Sequence, residues 1–311
     1  MIKLSSNGEG GLIHRSRFST LAKMRKPLQI IVLLLLGFLL ALMATVVFST
    51  KPTQSINQLY IFGDSLSDTG NVFRATSGLY PSHPTYFQGR YSNGRVWVEY
   101  LAEQFSVNRV NNFAWGGATT GNHSTGLVPG LLAQVQSFSQ NHSHTPADAL
   151  YVLWAGANDY LQGTTNPAVP VANTTQAIES LVRIGATKIL IANLPDLGEL
   201  PATRNSTNSS QLSTLTQAHN SGLRRSLKVL NQQYPDLHIV TLDANVLYHQ
   251  AINEPAKFGF TQVKTACLTA ANPCRNPDQF LFWDSIHPTT AGHRILANNS
   301  ATALKSQLLR N

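Results

Sequence analysis

A serine, a carboxylate and an imidazole stand in two short segments at opposite ends of the foldable part of this 311-residue chain. Ser65 lies in Gly63-Asp64-Ser65-Leu66, directly after the apolar run Leu59, Tyr60, Ile61, Phe62. Asp284 and His287 lie three residues apart in Asp284-Ser285-Ile286-His287. A serine hydroxyl is a weak nucleophile at neutral pH. It becomes an effective one when an imidazole takes its proton and a carboxylate orients that imidazole. The chemistry within reach is acyl transfer through a covalent serine intermediate. Taken alone, Gly63-Asp64-Ser65 also suits a plain turn or helix cap. The Gly-x-Ser-x-Gly elbow is absent, because Ser67 occupies the second glycine position.

The elements that must position these residues follow from periodicity. Short runs rich in Val, Ile, Leu and aromatics at 58–62, 109–113, 149–154, 188–192 and 237–242 predict buried strands. Helical patterns lie at 95–105, 131–139, 176–184, 212–233 and 288–308. This alternation predicts an α/β fold: a three-layer α/β/α sandwich around a central, mostly parallel five-stranded sheet. Ligands of such sheets bind at the carboxyl ends of the strands. Ser65 follows the first strand, Gly116 the second and Asn158 the third, so all three converge on one edge. Residues 77–89, rich in Pro, Gly and Tyr, form a loop expected beside that edge.

The net charge of +8 does not describe the folded part. Six basic residues (Lys3, Arg15, Arg17, Lys23, Arg25 and Lys26) precede residue 30 against one acid, Glu9. The remainder carries 17 basic and 14 acidic side chains, which argues against a nucleic-acid reader. The basic stretch 1–27 leads into an apolar segment at 28–49, whose residues 30–48 are 19 positions without a charge. At about 1.5 Å per residue such a helix spans roughly 28 Å, the thickness of a bilayer core. Either an uncleaved membrane anchor or a long cleaved signal fits. Both place the later residues across the membrane, periplasmic, lumenal or extracellular. A linker at 50–57 then precedes a catalytic domain at 58–311. An exported chain makes a Cys267–Cys274 disulfide the natural pairing of its two cysteines. Six Asn-x-Ser/Thr sequons, beginning at Asn122, would be glycan sites in a eukaryotic secretory pathway. Asp64 and Asp68 read as turn and capping residues rather than metal ligands, since no cluster of His and carboxylates accompanies them.

The longer stretch Ile61-Phe62-Gly63-Asp64-Ser65-Leu66-Ser67-Asp68-Thr69-Gly70-Asn71 resembles the first signature of the GDSL, or SGNH, hydrolases. Asn112-Phe113-Ala114-Trp115-Gly116-Gly117-Ala118, Gly156-Ala157-Asn158-Asp159 and Asp284-Ser285-Ile286-His287-Pro288 resemble the later signatures, in order. Ser92-Asn93-Gly94-Arg95-Val96-Trp97 is a further recurrent segment of the family. The resemblance runs from about residue 58 to 305 and implies a flavodoxin-like fold. It implies Ser65 as nucleophile, His287 as base and Asp284 as the orienting carboxylate. It also implies an oxyanion hole from the Ser65 and Gly116 N–H groups and the Asn158 side chain, with Gly117 the alternative glycine. No cofactor and no metal are expected. The form most resembles a bacterial branch of phospholipases A, lysophospholipases and glycerophospholipid:cholesterol acyltransferases, so the expected substrate is a lipid ester. Transfer to an acceptor alcohol, glycan O-deacetylation and a catalytically silent binding protein are the alternatives. Trp115, Trp154 and Trp283 adjoin these segments and serve packing, an acyl pocket or a face for a choline cation.

Overall fold

The computed structural model describes residue 31 and residues 33–38, 55–123, 128–270 and 272–308. Five strands make one sheet: β1 (Gln58–Gly63), β2 (Arg109–Asn112), β3 (Ala149–Trp154), β4 (Lys188–Ala192) and β5 (His238–Leu242). Every pairing is parallel and the spatial order is β2-β1-β3-β4-β5. The chain leaves β1 for β2 on one side and returns to β3 on the other. The crevice between the carboxyl ends of β1 and β3 is therefore the topological switch point, where such sheets bind ligands.

The alternation along β1 explains why the sheet is covered on both faces. Leu59 and Ile61 join a core with Trp97, Leu101 and Leu304. Tyr60 and Phe62 point the other way, into a core with Leu131, Phe138 and Leu181. The helices that cover the two faces are α2 (Trp97–Gln104) with α8 (Thr290–Gln307), and α3 (Leu131–Asn141) with α5 (Ala168–Arg183) and α6 (Ser209–Gln233). With both faces buried, a central strand such as β3 has no polar alternation: all its residues are buried.

Strand bounds match the sequence expectation to within one residue. Helix α5 begins well before the expected 176, because Pro170 lies in its first turn, where a missing N–H costs nothing. Short helices α1 (Asn71–Ala75), α4 (Ala157–Leu161) and α7 (Ala244–Asn253) were not expected; the first two are too brief for a periodic signal. A second, two-stranded parallel sheet pairs β6 (Gln262–Ala266) with β7 (Phe280–Phe282).

The chain divides into a unit of residues 1–53 and a unit of residues 54–311. Of the expected anchor or signal, residue 31 and residues 33–38 are helical. The rest of it, and the basic segment before it, lie outside the described residues. Among the described residues no helix is long and apolar enough to cross a membrane.

Candidate active site

The serine turn is held by backbone bonds and by buried side chains together. Gly63 closes β1 at φ +155°, and a Cβ there would sit 2.2 Å from the Trp154 carbonyl oxygen, so only glycine fits. The chain then reverses around Asp64. Its carbonyl accepts from Ser67 and Asp68 N–H, both at 3.0 Å, and its Oδ1 accepts from Leu66 N–H at 3.0 Å. Ser65 rides the top of this turn, and its own N–H meets no acceptor among the described residues. Burial pushes the Asp64 carboxyl up to about 7, against the opposing pull of the Leu66 N–H and of His287.

Asp68 ties this turn to the segment after β2. Its Oδ1 accepts from Gly70 N–H at 2.7 Å and Asn71 N–H at 2.6 Å, and its Oδ2 accepts from Gly116 N–H at 2.9 Å. Asn112 adds an Nδ2 bond to the Ser67 carbonyl at 2.7 Å, and Asn71 one to the Ala114 carbonyl at 2.7 Å. These signature residues hold loops; they do not face a reacting atom.

The base arrives from the other end of the chain. β6 and β7 bring Trp283 against Leu268, whose N–H donates to the Trp283 carbonyl at 2.6 Å. The Cys267–Cys274 disulfide closes the loop beside this contact. The turn that follows is folded around one carboxylate. Asp284 Oδ1 accepts from Ile286 N–H at 2.8 Å and His287 N–H at 2.7 Å. Its Oδ2 lies 2.7 Å from His287 Nδ1. Thr289 then caps α8, accepting from Gly292 N–H at 3.2 Å. Burial alone would raise the Asp284 carboxyl. The His287 charge, its ring N–H and the two backbone donors outweigh that and hold it down at about 2. An ionised carboxylate only accepts, so Nδ1 of His287 carries the proton and Nε2 is left as acceptor. Nε2 lies 2.8 Å from Ser65 Oγ. Ser65, His287 and Asp284, read from the sequence as separate segments, thus form one hydrogen-bonded line.

Asn158 stands at the start of α4, beyond the end of β3. One of its amide protons bonds the Ala118 carbonyl at 2.9 Å, which leaves the second amide proton for another acceptor. The expectation for Gly116 needs correction. Its N–H is engaged by Asp68, whereas the N–H of Gly117, at φ +82°, meets no acceptor among the described residues. The sequence could not separate two adjacent glycines, because the difference lies in which of them the buried Asp68 reaches.

Ser65, Asn158 and His287 open onto one pocket of about 80 Å³. Its wall is chiefly apolar, including Leu161, Leu197, Leu200, Leu247, Phe260 and Leu281. Trp154 lines it as well, while Trp283 is buried and Trp115 is partly exposed. Two tyrosines, Tyr86 in the 77–89 loop and Tyr91 just beyond it, stand over the imidazole side. The Tyr91 ring packs on His287 with centroids 5.2 Å apart, and Tyr86 Oη–H donates to Asp284 Oδ2 at 2.8 Å. Sequence reading found the loop but not these contacts; its tyrosine content was the available signal. Among the described residues no group of three or more His, Cys, Asp or Glu side chains is arranged to hold a metal ion.

The family model of GDSL-like lipase/acylhydrolase matches residues 59–300. The phosphatidylcholine-sterol acyltransferase of Aeromonas hydrophila is 30% identical, with 86% of this chain and 96% of that protein covered. The thermolabile hemolysin of Vibrio parahaemolyticus is 29% identical over 79% of this chain, which spans 63% of that longer protein. A solved lipolytic protein of the G-D-S-L family from Veillonella parvula superposes at TM-score 0.47 with 14% identity, covering 80% of this chain and 98% of the other.

Proposed function

The chain belongs to the GDSL-like lipase/acylhydrolase family, and from that premise we propose that it is an exported serine hydrolase of lipid esters. One observation carries this reading: the unbroken line from Asp284 through His287 to Ser65 Oγ, opening on an apolar pocket. In the proposed reaction Ser65 Oγ attacks the ester carbonyl carbon while its proton passes to His287 Nε2. Asp284 stabilises the imidazolium that forms. The carbonyl oxygen, now negative, accepts from Ser65 N–H, Gly117 N–H and the second Asn158 amide proton. Donors fixed before the charge develops stabilise it without reorganisation. His287 returns the proton to the leaving alcohol as the C–O bond breaks, and an acyl group remains on Ser65. The oxygen of a second hydroxyl compound then bonds to the acyl carbon as its proton passes to His287 Nε2; the bond from that carbon to Ser65 Oγ breaks, and His287 returns the proton to Oγ.

Water as that second compound yields a free acid. An acceptor alcohol yields a new ester, and this outcome is kept as a second reading because one relative that this chain covers along 96% of its length is a sterol acyltransferase. The lipid assignment rests on the apolar wall of the pocket. Export rests on the basic segment 1–27 followed by an apolar one, and on the Cys267–Cys274 disulfide, which belongs to an oxidising compartment.

Mass spectrometry of products tests the whole reading. Wild type and Ser65→Ala are compared on phosphatidylcholine, lysophosphatidylcholine, p-nitrophenyl esters and an acetylated glycan, with cholesterol present. Ser65-dependent fatty acid or cholesteryl ester is expected, and their ratio separates hydrolase from transferase. Acetate release alone would overturn the lipid assignment. Fractionation of cells that locates the protein in the cytoplasm would overturn export.

A further inference from the structure

We propose that Tyr86 is a positioning residue for the catalytic line, acting through Asp284; this rests on the serine-hydrolase reading above. Tyr86 lies 198 positions before Asp284, on the loop that the sequence marks only by its Pro, Gly and Tyr content. Its hydroxyl donates at 2.8 Å to Asp284 Oδ2, the same oxygen that meets His287 Nδ1 at 2.7 Å. Together with the Ile286 and His287 N–H groups on Oδ1, four donors surround the carboxylate. An ionised carboxylate offers about four lone-pair sites. Asp284 is therefore saturated, and Tyr86 supplies the one donor that does not come from its own turn.

Two consequences follow. The carboxylate cannot rotate without losing a bond, so the imidazole it orients keeps its Nε2 on Ser65. The Tyr86 bond also draws charge from Oδ2, which moderates how strongly Asp284 stabilises the imidazolium. Burial and the Asp284 charge both keep the Tyr86 hydroxyl protonated, so it remains a donor throughout the working range. The other titratable groups around the line are Asp64 from the serine turn, His293 from α8, and Tyr80 and Tyr91 from the same region as Tyr86. Among the described residues none of these four is placed on Asp284 by a hydrogen bond, whereas Tyr86 is.

The test uses the rate at which a fluorophosphonate labels Ser65, measured against pH on the full chain. That rate reports serine activation without reference to the natural ester. Tyr86→Phe keeps the ring and removes the hydroxyl. The plateau rate is expected to fall about tenfold, and the acid limb to move up by about half a pH unit as Asp284 holds the imidazolium more tightly. In an Asp284→Asn background, the same substitution is expected to add nothing, since its route runs through the carboxylate. A wild-type rate and an unmoved limb in Tyr86→Phe would overturn the proposal. An equal loss in both backgrounds would overturn it too, because the effect would then bypass Asp284. Failure of the wild type to label would instead overturn the underlying serine-hydrolase reading.

Discussion

The nucleophile and its base are held by two different kinds of structure. Ser65 stands on a turn at the end of β1, locked by carbonyl and carboxylate acceptors within a few residues and by Asp68 to the neighbouring loop. His287 stands on a segment that reaches the site after a long excursion, through the small β6–β7 sheet, a disulfide loop and a turn wrapped around Asp284. The serine end draws its rigidity from the large core. The base end draws it from a smaller apolar cluster that holds Leu281 and Phe282, from local bonds around Asp284 and from one covalent link. The comparison teaches that a two-part site need not share one support: the reacting atoms meet at 2.8 Å although the elements behind them differ in size and packing.

Substitutions can break this comparison at either end. Ser65→Ala should abolish turnover, a loss of roughly 10⁴-fold or more, with an unchanged melting curve. Ester hydrolysis near the wild-type rate would place the nucleophile elsewhere. Asn158→Ala should lower kcat by about 10²–10³-fold by removing one oxyanion donor. An unchanged kcat would take Asn158 out of the reaction.

Stability measurements sharpen the contrast between the supports. Asp68→Ala leaves the Gly70, Asn71 and Gly116 N–H groups without their acceptor. It should cost about 3 kcal/mol in denaturant titration, since buried unmade hydrogen bonds are expensive. Replacing both Cys267 and Cys274 by Ser opens only a small loop and should cost about 2 kcal/mol, with the larger share of its effect on His287 rather than on Ser65. A disulfide variant less stable than Asp68→Ala would reverse the assignment of the stronger support.

A pH dependence at the serine end is a further expected effect. Burial raises Asp64 from 3.8 to about 7, so the folded state holds this proton more tightly than the unfolded one. Its stabilising contribution is complete below 3.8 and is lost as pH climbs to about 7. Asp64→Asn, neutral throughout, should therefore gain stability relative to wild type across that interval. A constant difference between the two proteins would remove Asp64 as the source.

Much of this was legible in the residues themselves. The five strands and the convergence of Ser65, the glycine pair and Asn158 on one sheet edge follow from short-range pattern and from the rule for parallel sheets, whereas the joining of Ser65 to Asp284 and His287 rests on the resemblance of the four signature segments. Buried strands need apolar runs, and a reactive serine needs a base and an acid, so both leave marks in composition and spacing. Helices α1 and α4 left none, because a single turn has no period to read.

What only the tertiary structure decided is which donors reach which acceptors. Gly116 and Gly117 are chemically alike in the sequence; Asp68 engages the first and leaves the second. Tyr86 is one of nine tyrosines until the fold brings its hydroxyl to Asp284. Hydrogen bonds form over about 3 Å and depend on direction. Residue type and spacing along a chain set neither distance nor direction between segments this far apart, and packing of the sheet and its helices sets both.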